Sequence, residues 1–168
     1  MKLSAIVIGL SAFAAALPAA AQPGPTRQVQ LPPLPGFVPG HAQRAGDQQI
    51  VEFVPRGQTV QRYTKMVTMT SFRTRPGVST DQLQRAFVQR YGATCPGARV
   101  QAMNLGGGNT GARIDCARHP RTGKPETNFV RVVNVAPAAA IVTYMTAYAP
   151  SPTEAYFARD FLGRIAVR

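Results

Sequence analysis

Two cysteines, Cys95 and Cys116, are the only thiols in the sequence. A disulfide between them would close a loop of about 20 residues and stabilise the fold by about 3 kcal/mol. Redox enzymes usually use a C-x-x-C pair, which this spacing does not provide. The two histidines, His41 and His119, supply too few soft ligands to complete a metal site with the thiols. We therefore predict a disulfide bond, no metal site and no cofactor.

The best candidate for acid–base chemistry is a pair of carboxylates. Glu52 and Asp115 lie on predicted strands, where they could converge as the general acid and base of a hydrolase. Each also has an arginine nearby, Arg56 and Arg113, which favours simple surface ion pairs. Two of the three serines after residue 21 fall in predicted helix caps, and both histidines fall in a predicted turn or the N-terminal segment, which disfavours a Ser-His-acid triad. The sequence favours a non-catalytic protein, with a Glu52/Asp115 hydrolase as an alternative.

Two tyrosines and a glycine-rich loop are the candidate ligand contacts. Tyr144 and Tyr148 share one face of a predicted strand, where they either line a cleft or cap a half-buried sheet. Residues 106–111 read GGGNTG and predict a flexible hairpin tip that presents Gly107 and Asn109. A strand follows this loop, whereas a phosphate-binding loop requires a helix there. We expect a protein partner or a small ligand to bind at the sheet face or at the tip.

The charge of the chain indicates an alternative function. The sequence has 19 Lys and Arg against 7 Asp and Glu, a net charge of +12. Such a protein is attracted to polyanions, although an arginine-rich solvated surface also explains the composition. The candidate anion-binding residues surround the second predicted strand and the first helix: Arg62, Lys65, Arg73, Arg75, Arg85 and Arg90. The alternative partner is an anionic polymer, glycan or lipid headgroup. Nucleic acid is disfavoured because residues 1–21 have the pattern of an export signal.

The first 21 residues have the pattern of an export signal. A lysine at position 2 precedes an apolar run over residues 3–17, and small residues end the segment at position 21. Because the run is short for a bilayer span, we expect cleavage before Gln22 and no transmembrane segment in the mature chain. The residue directly after the cleavage site is not a cysteine, so no lipid can be attached there. The predicted location is the periplasm or the external medium.

Residues 22–46 are predicted to be a flexible tether. They are rich in Pro, Gly and Gln and show no sustained helical or strand period. The LPPLP segment within them could form polyproline II and contact an aromatic groove on a partner. One domain remains over residues 47–168, which is long enough for a single core.

The patterns in this domain predict six strands and two helices. Alternation of apolar and polar residues predicts strands over 49–54, 63–72, 99–105, 112–118, 127–135 and 140–148. Capping boxes at Ser79 and Ser151 predict the helix starts, and Gly92 predicts the end of the first helix. The order is β-β-α-β-β-β-β-α. It indicates an α+β fold, with two helices packed on an antiparallel sheet of five to six strands.

Short motifs carry a family resemblance. Residues 52–60 read EFVPRGQTV, residues 66–68 read MVT, and the two cysteines and a GKPE turn over residues 123–126 follow. This set resembles small exported bacterial proteins of unknown function with the pattern E-F-[VI]-P-x-G-x-T-V, then M-V-T, and two cysteines. The resemblance covers most of residues 49–148. It implies no activity, substrate or catalytic residue.

Overall fold

The structure is a computed structural model that describes residues 28–168. The predicted export signal and the first part of the predicted tether lie outside the described residues. The elements in chain order are β1 (Val29–Gln30), β2 (Phe37–Ala45), β3 (Gln48–Pro55), β4 (Lys65–Arg73), α1 (Thr80–Thr94), β5 (Arg99–Gly106), β6 (Asn109–Cys116), β7 (Glu126–Val135), β8 (Ala138–Thr146), α2 (Pro152–Gly163) and β9 (Ala166–Val167).

Seven of the strands form one antiparallel sheet in the order β2-β3-β4-β8-β7-β6-β5. The other two, β1 and β9, pair with each other in a separate small sheet. The predicted α+β class is confirmed, and the six predicted strands are present as β3 to β8 on either side of α1. The sheet exceeds the predicted five to six strands because β2 adds an edge strand next to β3.

The tether prediction is wrong for the described part of residues 22–46. This part contains β1 and β2, and β2 pairs with β3 along nearly its whole length. A two-residue connection, Gly46 and Asp47, joins β2 to β3, and Gly46 has a φ of +57° that suits a tight hairpin. Most β2 side chains are exposed, so backbone pairing rather than apolar burial forms this strand. It therefore lacks the hydrophobic alternation by which strands are recognised.

One face of the sheet, which we name the α2 face, carries the main core. Val67, Phe129 and Tyr144 point to this face from three central strands and are at most 2% exposed. Phe161 and Leu162 of α2 pack against them and have no exposed surface. Apolar side chains before and within β2 cover more of the same core: Val29, Leu31, Leu34 and Phe37.

The opposite face, which we name the α1 face, is only partly covered. α1 packs over β6 and β7, where Ala112, Ile114 and Val130 form a small buried cluster. Phe87 and Tyr91 are half-buried against this cluster. α1, which lies wholly within the described residues, has no fully buried side chain. The helix thus leaves the neighbouring part of the sheet, formed by β3, β4 and β8, beside an open cleft.

Both helices begin at the predicted capping boxes. The Ser79 hydroxyl accepts a hydrogen bond from the Gln82 N–H, while the Gln82 side chain accepts one from the Ser79 N–H. Ser151 and Glu154 make the same reciprocal pair at the start of α2. These bonds satisfy N–H groups that have no partner within the helix. In the described part of the chain, neither helix has the length and apolar character needed to cross a membrane.

The predicted end of α1 at Gly92 is wrong. α1 continues to Thr94, and Cys95 is its C-cap, with an N–H that donates to the carbonyls of Tyr91 and Gly92. Gly92 does not adopt the left-handed conformation that ends many helices. The helix is extended to the point where the disulfide and the chain turn at Pro96 end it.

Candidate functional site

The predicted disulfide is present between Cys95 and Cys116. It joins the C-cap of α1 to the last residue of β6, with the two Cα atoms 6.0 Å apart. Both cysteines are only 1% exposed. Because α1 has no fully buried side chain, this bond is a main attachment of the helix to the sheet. It therefore holds in place the helix that forms one wall of the cleft.

The cleft, which we name the α1 cleft, lies between α1 and the uncovered strands of the α1 face. It has a volume of about 630 Å³. Its apolar lining comes from Phe72 of β4, Phe87 of α1, and Ile141 and Met145 of β8. Ligand sites in proteins have volumes of this order and combine an apolar lining with a few polar groups. The size and lining of the α1 cleft therefore suit a binding site.

Two buried polar atoms of the lining residues have no hydrogen-bond partner in the described part of the chain. Asn128 is 1% exposed; its Nδ2 donates to Glu126 Oε1 at 3.0 Å, but its Oδ1 has no partner among the described residues. The buried Oγ1 of Thr68 also has none within residues 28–168. Leaving such a group unsatisfied costs about 1–3 kcal/mol. Both residues line the α1 cleft, and the two atoms are buried beneath its surface, so a ligand reaches them only when neighbouring side chains shift.

Two opposite charges also line the α1 cleft. Glu52 reaches it from β3, and Arg90 from α1. The ion pairs formed within residues 28–168 involve neither of them. The cleft therefore offers a carboxylate and a guanidinium to a ligand, in addition to the uncharged lining.

The prediction that Tyr144 lines a ligand cleft is wrong. Tyr144 is 2% exposed and lies in the α2-face core, with Phe157 5.7 Å from it between ring centroids. Burial raises the pKa of its hydroxyl to about 12. The alternation of β8 is responsible, because its even-numbered residues face α2 while Ile141 and Met145 face the α1 cleft.

Tyr148 lies after the end of β8 and is half-buried. Its O–H donates to Glu154 Oε1, which also pairs with Lys65 Nζ at 2.7 Å. Tyr148 is thus part of a small polar network at one end of the sheet. The structure places it in a different cleft from the α1 cleft.

The hairpin tip between β5 and β6 is tied to the body of the protein through Asn109. Its Oδ1 accepts a hydrogen bond from Arg131 Nη2 at 2.6 Å, and its Nδ2 donates to the Gly106 carbonyl at 3.1 Å. Gly107, with a φ of +57°, forms the exposed turn. The Asn109 side chain, proposed from the sequence as a ligand contact, therefore has structural partners.

The six predicted anion-binding residues do not form one patch. Arg62 and Lys65 lie near the start of β4, and Arg73 and Arg75 near its other end, about 26 Å away for eight extended residues. Lys65 pairs with Glu154, and Arg73 with Asp47 at 3.6 Å. Arg85 and Arg90 are exposed on α1, and only Arg90 lines the α1 cleft.

The proposed acid–base pair of Glu52 and Asp115 is not formed. The strand registers place Glu52 beside Thr68 on the α1 face and Asp115 beside Thr127 on the α2 face. The two carboxylates thus lie on opposite sides of the sheet. Asp115 instead accepts hydrogen bonds from Arg113 Nε at 2.9 Å and from Thr127 Oγ1 at 2.7 Å.

Neither histidine lies in a metal-binding group. His41 is exposed on β2, and Nδ1 of His119 accepts a hydrogen bond from the Arg121 N–H at 3.3 Å. Across residues 28–168, there is no cluster of three or more His, Cys, Asp and Glu side chains suited to hold a metal ion.

Glu126 is a buried residue that sequence analysis did not single out. It is 5% exposed, and its carboxylate accepts hydrogen bonds from Tyr91 O–H and Asn128 Nδ2 at Oε1, and from Tyr63 O–H at Oε2. Burial and the nearby carboxylate raise the pKa of Tyr63 to about 12, and they also raise that of Tyr91. Glu126 follows Pro125 in a turn-like sequence, which suggested an exposed position.

Arg131 is a second buried charged residue that sequence analysis missed. It is 7% exposed, and its Nη1 donates to the carbonyls of Leu162, Gly163 and Ile165 at 2.7–3.2 Å. These carbonyls lie at the end of α2, where they have no partners within the helix. Burial lowers the pKa of Arg131, but the guanidinium remains well placed to cap the negative end of the helix.

Comparisons with known proteins identify the fold but no family. The chain matches no protein-family model and no curated protein sequence. Among solved structures, a point mutant of protein Mog1 is similar, with a TM-score of 0.52, 8% sequence identity and coverage of 81% of each chain. The Saccharomyces cerevisiae Ran-binding protein Mog1p is also similar, with a TM-score of 0.51, 7% identity and coverage of 81% of this chain and 80% of its own. At this identity, the similarity concerns the fold alone.

Proposed function

We propose that this chain is a non-catalytic exported protein that binds a segment of a partner protein in the α1 cleft. The observation that carries the proposal is the apolar lining of that cleft with Glu52 and Arg90 beside it, above the unpartnered buried atoms Asn128 Oδ1 and Thr68 Oγ1. Binding proteins keep such groups because a ligand satisfies them, although they reduce the stability of the free protein.

The shape of the α1 cleft favours an extended segment. Thr68, Thr70 and Phe72 line it from alternate positions of β4, a distance of about 13 Å along the strand. This length accommodates about four residues of an extended chain. Apolar side chains of such a segment can contact Phe87 and its neighbours. A backbone N–H of the segment can donate to Asn128 Oδ1 once the side chains that cover this atom shift.

The similar fold of Mog1p supports a protein as the partner. Mog1p is a Ran-binding protein, so a protein of this fold serves in protein–protein recognition. Glu52 and Arg90, which form no ion pair within residues 28–168, would add charge complementarity to a partner segment that carries both signs. A small molecule with an apolar body and an N–H or O–H group is the other outcome of the experiment below.

Export is supported by the sequence and by the cysteines. Residues 1–21 have the pattern of a signal peptide, and the motif resemblance is to exported bacterial proteins. The disulfide between Cys95 and Cys116 is typical of proteins that leave the reducing cytosol. We therefore place the binding function in the bacterial envelope or the medium.

Site-specific photo-crosslinking tests the proposed site. A photo-reactive phenylalanine analogue at position 87, within the α1 cleft, is expected to crosslink one defined segment of an envelope protein. The same analogue at Tyr156, which is 70% exposed on α2, is the matched control and should not capture that segment. Equal capture from both positions, or capture from neither, would contradict the proposal. A non-peptide adduct at position 87 alone would identify a small ligand instead.

Thr68→Val provides a second test in the same site. The substitution keeps the shape of the side chain and removes the unpartnered hydroxyl, so it should raise the free energy of unfolding by about 1 kcal/mol. It should also lower the affinity for the captured partner. Tyr156→Ala serves as the binding control. The interaction should persist at high ionic strength, whereas the alternative binding of a polyanion to surface arginines would be lost.

A further inference from the structure

A second cleft lies at the end of the sheet where β4 and β7 begin, and we name it the Glu126 cleft. It has a volume of about 660 Å³, and its lining differs from that of the α1 cleft. Its lining includes Arg62, Tyr63, Lys124, Glu126 and Tyr148. None of them lines the α1 cleft, where we propose that a partner segment binds.

The carboxylate of Glu126 lacks a cationic partner among residues 28–168. It is 5% exposed, yet all its hydrogen-bond donors are neutral groups, and no ion pair within residues 28–168 includes it. Oε1 is well satisfied by two donors, but Oε2 has only the Tyr63 hydroxyl at 3.5 Å. That distance is long for a hydrogen bond between oxygens. Buried carboxylates are usually paired with a cation, so Oε2 can accept a stronger donor.

Two cations on the rim of the Glu126 cleft are also without carboxylate partners. Arg62 and Lys124 are exposed residues of the lining, and neither takes part in an ion pair in the described chain. The nearby Lys65 is already paired with Glu154. The cleft thus combines a buried negative group with two available positive groups at the surface.

We infer that the Glu126 cleft binds the zwitterionic group of an α-amino acid. The ammonium group would donate to Glu126 Oε2, and the carboxylate would contact Arg62 and Lys124. A simple amine would be repelled by the two rim cations, and a simple carboxylate would leave Glu126 unpaired. A ligand that carries both charges satisfies both groups. The zwitterion could belong to a free amino acid or to the amino-acid end of a larger molecule.

Titration calorimetry with small probes tests this inference on the full mature chain. Alanine is expected to bind, while ethylamine and propionate, which each carry one of its charges, should bind at least about tenfold more weakly. Nε-acetyl-lysine has the same zwitterion at the end of a long side chain, so it distinguishes a free amino acid from the amino-acid end of a larger molecule. If the natural ligand is a larger molecule, Nε-acetyl-lysine should bind more tightly than alanine. Equal binding of propionate or of ethylamine, or no binding of either amino acid, would overturn the inference.

Variants locate the site. Glu126→Gln should weaken alanine binding by at least about tenfold because the neutral amide cannot pair with an ammonium group. Since Glu126 is buried, the double variant Arg62→Met and Lys124→Met provides a test at exposed positions with the same expected loss. Arg99→Met, which removes one positive charge from an exposed position of β5, is the matched control and should bind as the parent protein does. Unchanged binding by the folded double variant would contradict the assignment.

Discussion

The two faces of the seven-stranded sheet are covered to very different extents. α2 and the N-terminal apolar side chains cover the α2 face, where Tyr144, Phe129 and Phe161 are almost completely buried. The α1 face has a smaller buried cluster, a helix with half-buried contacts and an open cleft. Polar groups follow the same division, because buried Arg131 on the α2 face is satisfied, while Asn128 and Thr68 on the α1 face are not.

Under the proposed function, stability and binding are assigned to opposite sides of one sheet. A continuous apolar core on the α2 face contains most of the clustered buried residues, so the α1 face can retain unsatisfied polar atoms. Ligand sites are generally found in the less stable parts of a protein. The disulfide compensates on the α1 face by attaching α1 covalently to β6.

The largest expected effect compares one phenylalanine from each helix. Phe161→Ala on α2 should lower the free energy of unfolding by about 4 kcal/mol, because it creates a cavity in a fully buried position. Phe87→Ala on α1 should cost about half as much, since Phe87 is only half-buried. Urea denaturation of the two variants measures the difference. Equal losses would show that the α1 face contributes as much to stability as the α2 face.

A somewhat smaller loss is expected for Arg131→Met. The methionine fills a similar space but leaves three carbonyls at the end of α2 and the Asn109 side chain without their donor. We expect the free energy of unfolding to fall by about 3 kcal/mol. Asn109→Ala is the comparison, because it removes only one of these contacts and should cost about 1 kcal/mol. If Arg131→Met left the free energy of unfolding unchanged, packing rather than hydrogen bonding would stabilise this end of α2.

Removal of the disulfide should affect the α1 face selectively. The double variant Cys95→Ala and Cys116→Ala is expected to lose about 2–3 kcal/mol of stability. Amide hydrogen exchange should increase in α1 more than in α2, since α1 has few other attachments to the sheet. If exchange increased equally in both helices, the helices would be equally dependent on the cross-link, and the contrast between the faces would be smaller than the packing indicates.

The smallest effect concerns acid pH and the start of α2. Burial opposes ionisation of Glu154, but hydrogen bonds from Lys65, Tyr148 and the Ser151 backbone outweigh it and lower its pKa from 4.5 to about 2. The ionised form is therefore favoured in the folded protein. Its contribution to stability is complete above about pH 4.5 and is lost as the pH falls towards 2.

Glu154→Gln tests that contribution. The glutamine retains a capping box but loses the ion pair with Lys65, so the expected cost at neutral pH is about 1 kcal/mol or less. Thermal unfolding followed between pH 4.5 and 2 should show a smaller loss of stability in the variant than in the parent. An identical pH profile would show that other carboxylates account for the acid sensitivity.

Much of the fold was predictable because its signals are local. The capping boxes at Ser79 and Ser151 and the alternation in the six central strands depend on residues within a few positions of one another. The pairing of Cys95 with Cys116 followed from there being only two cysteines. In contrast, β2 was missed because its exposed side chains show no alternation. The Gly46-Asp47 connection was the one signal that could have indicated a hairpin there.

The site was less predictable because it depends on what packs against each face of the sheet. Alternation correctly separated Tyr144 from Ile141, but nothing in the sequence stated which set lies beneath α2 and which lies in a cleft. The same uncertainty produced the incorrect pairing of Glu52 with Asp115.

The sequence thus carries the α+β class, the helix starts and the disulfide, because capping, alternation and cysteine number involve near neighbours or a unique pair. The burial of Glu126 and Arg131, the position of Tyr144 in the core and the two clefts depend on the assembled sheet. Strand registers and the choice of face for each helix bring together residues that are far apart in the chain, such as Tyr63 and Glu126. These long-range contacts determine which polar groups become satisfied and which remain available for a ligand.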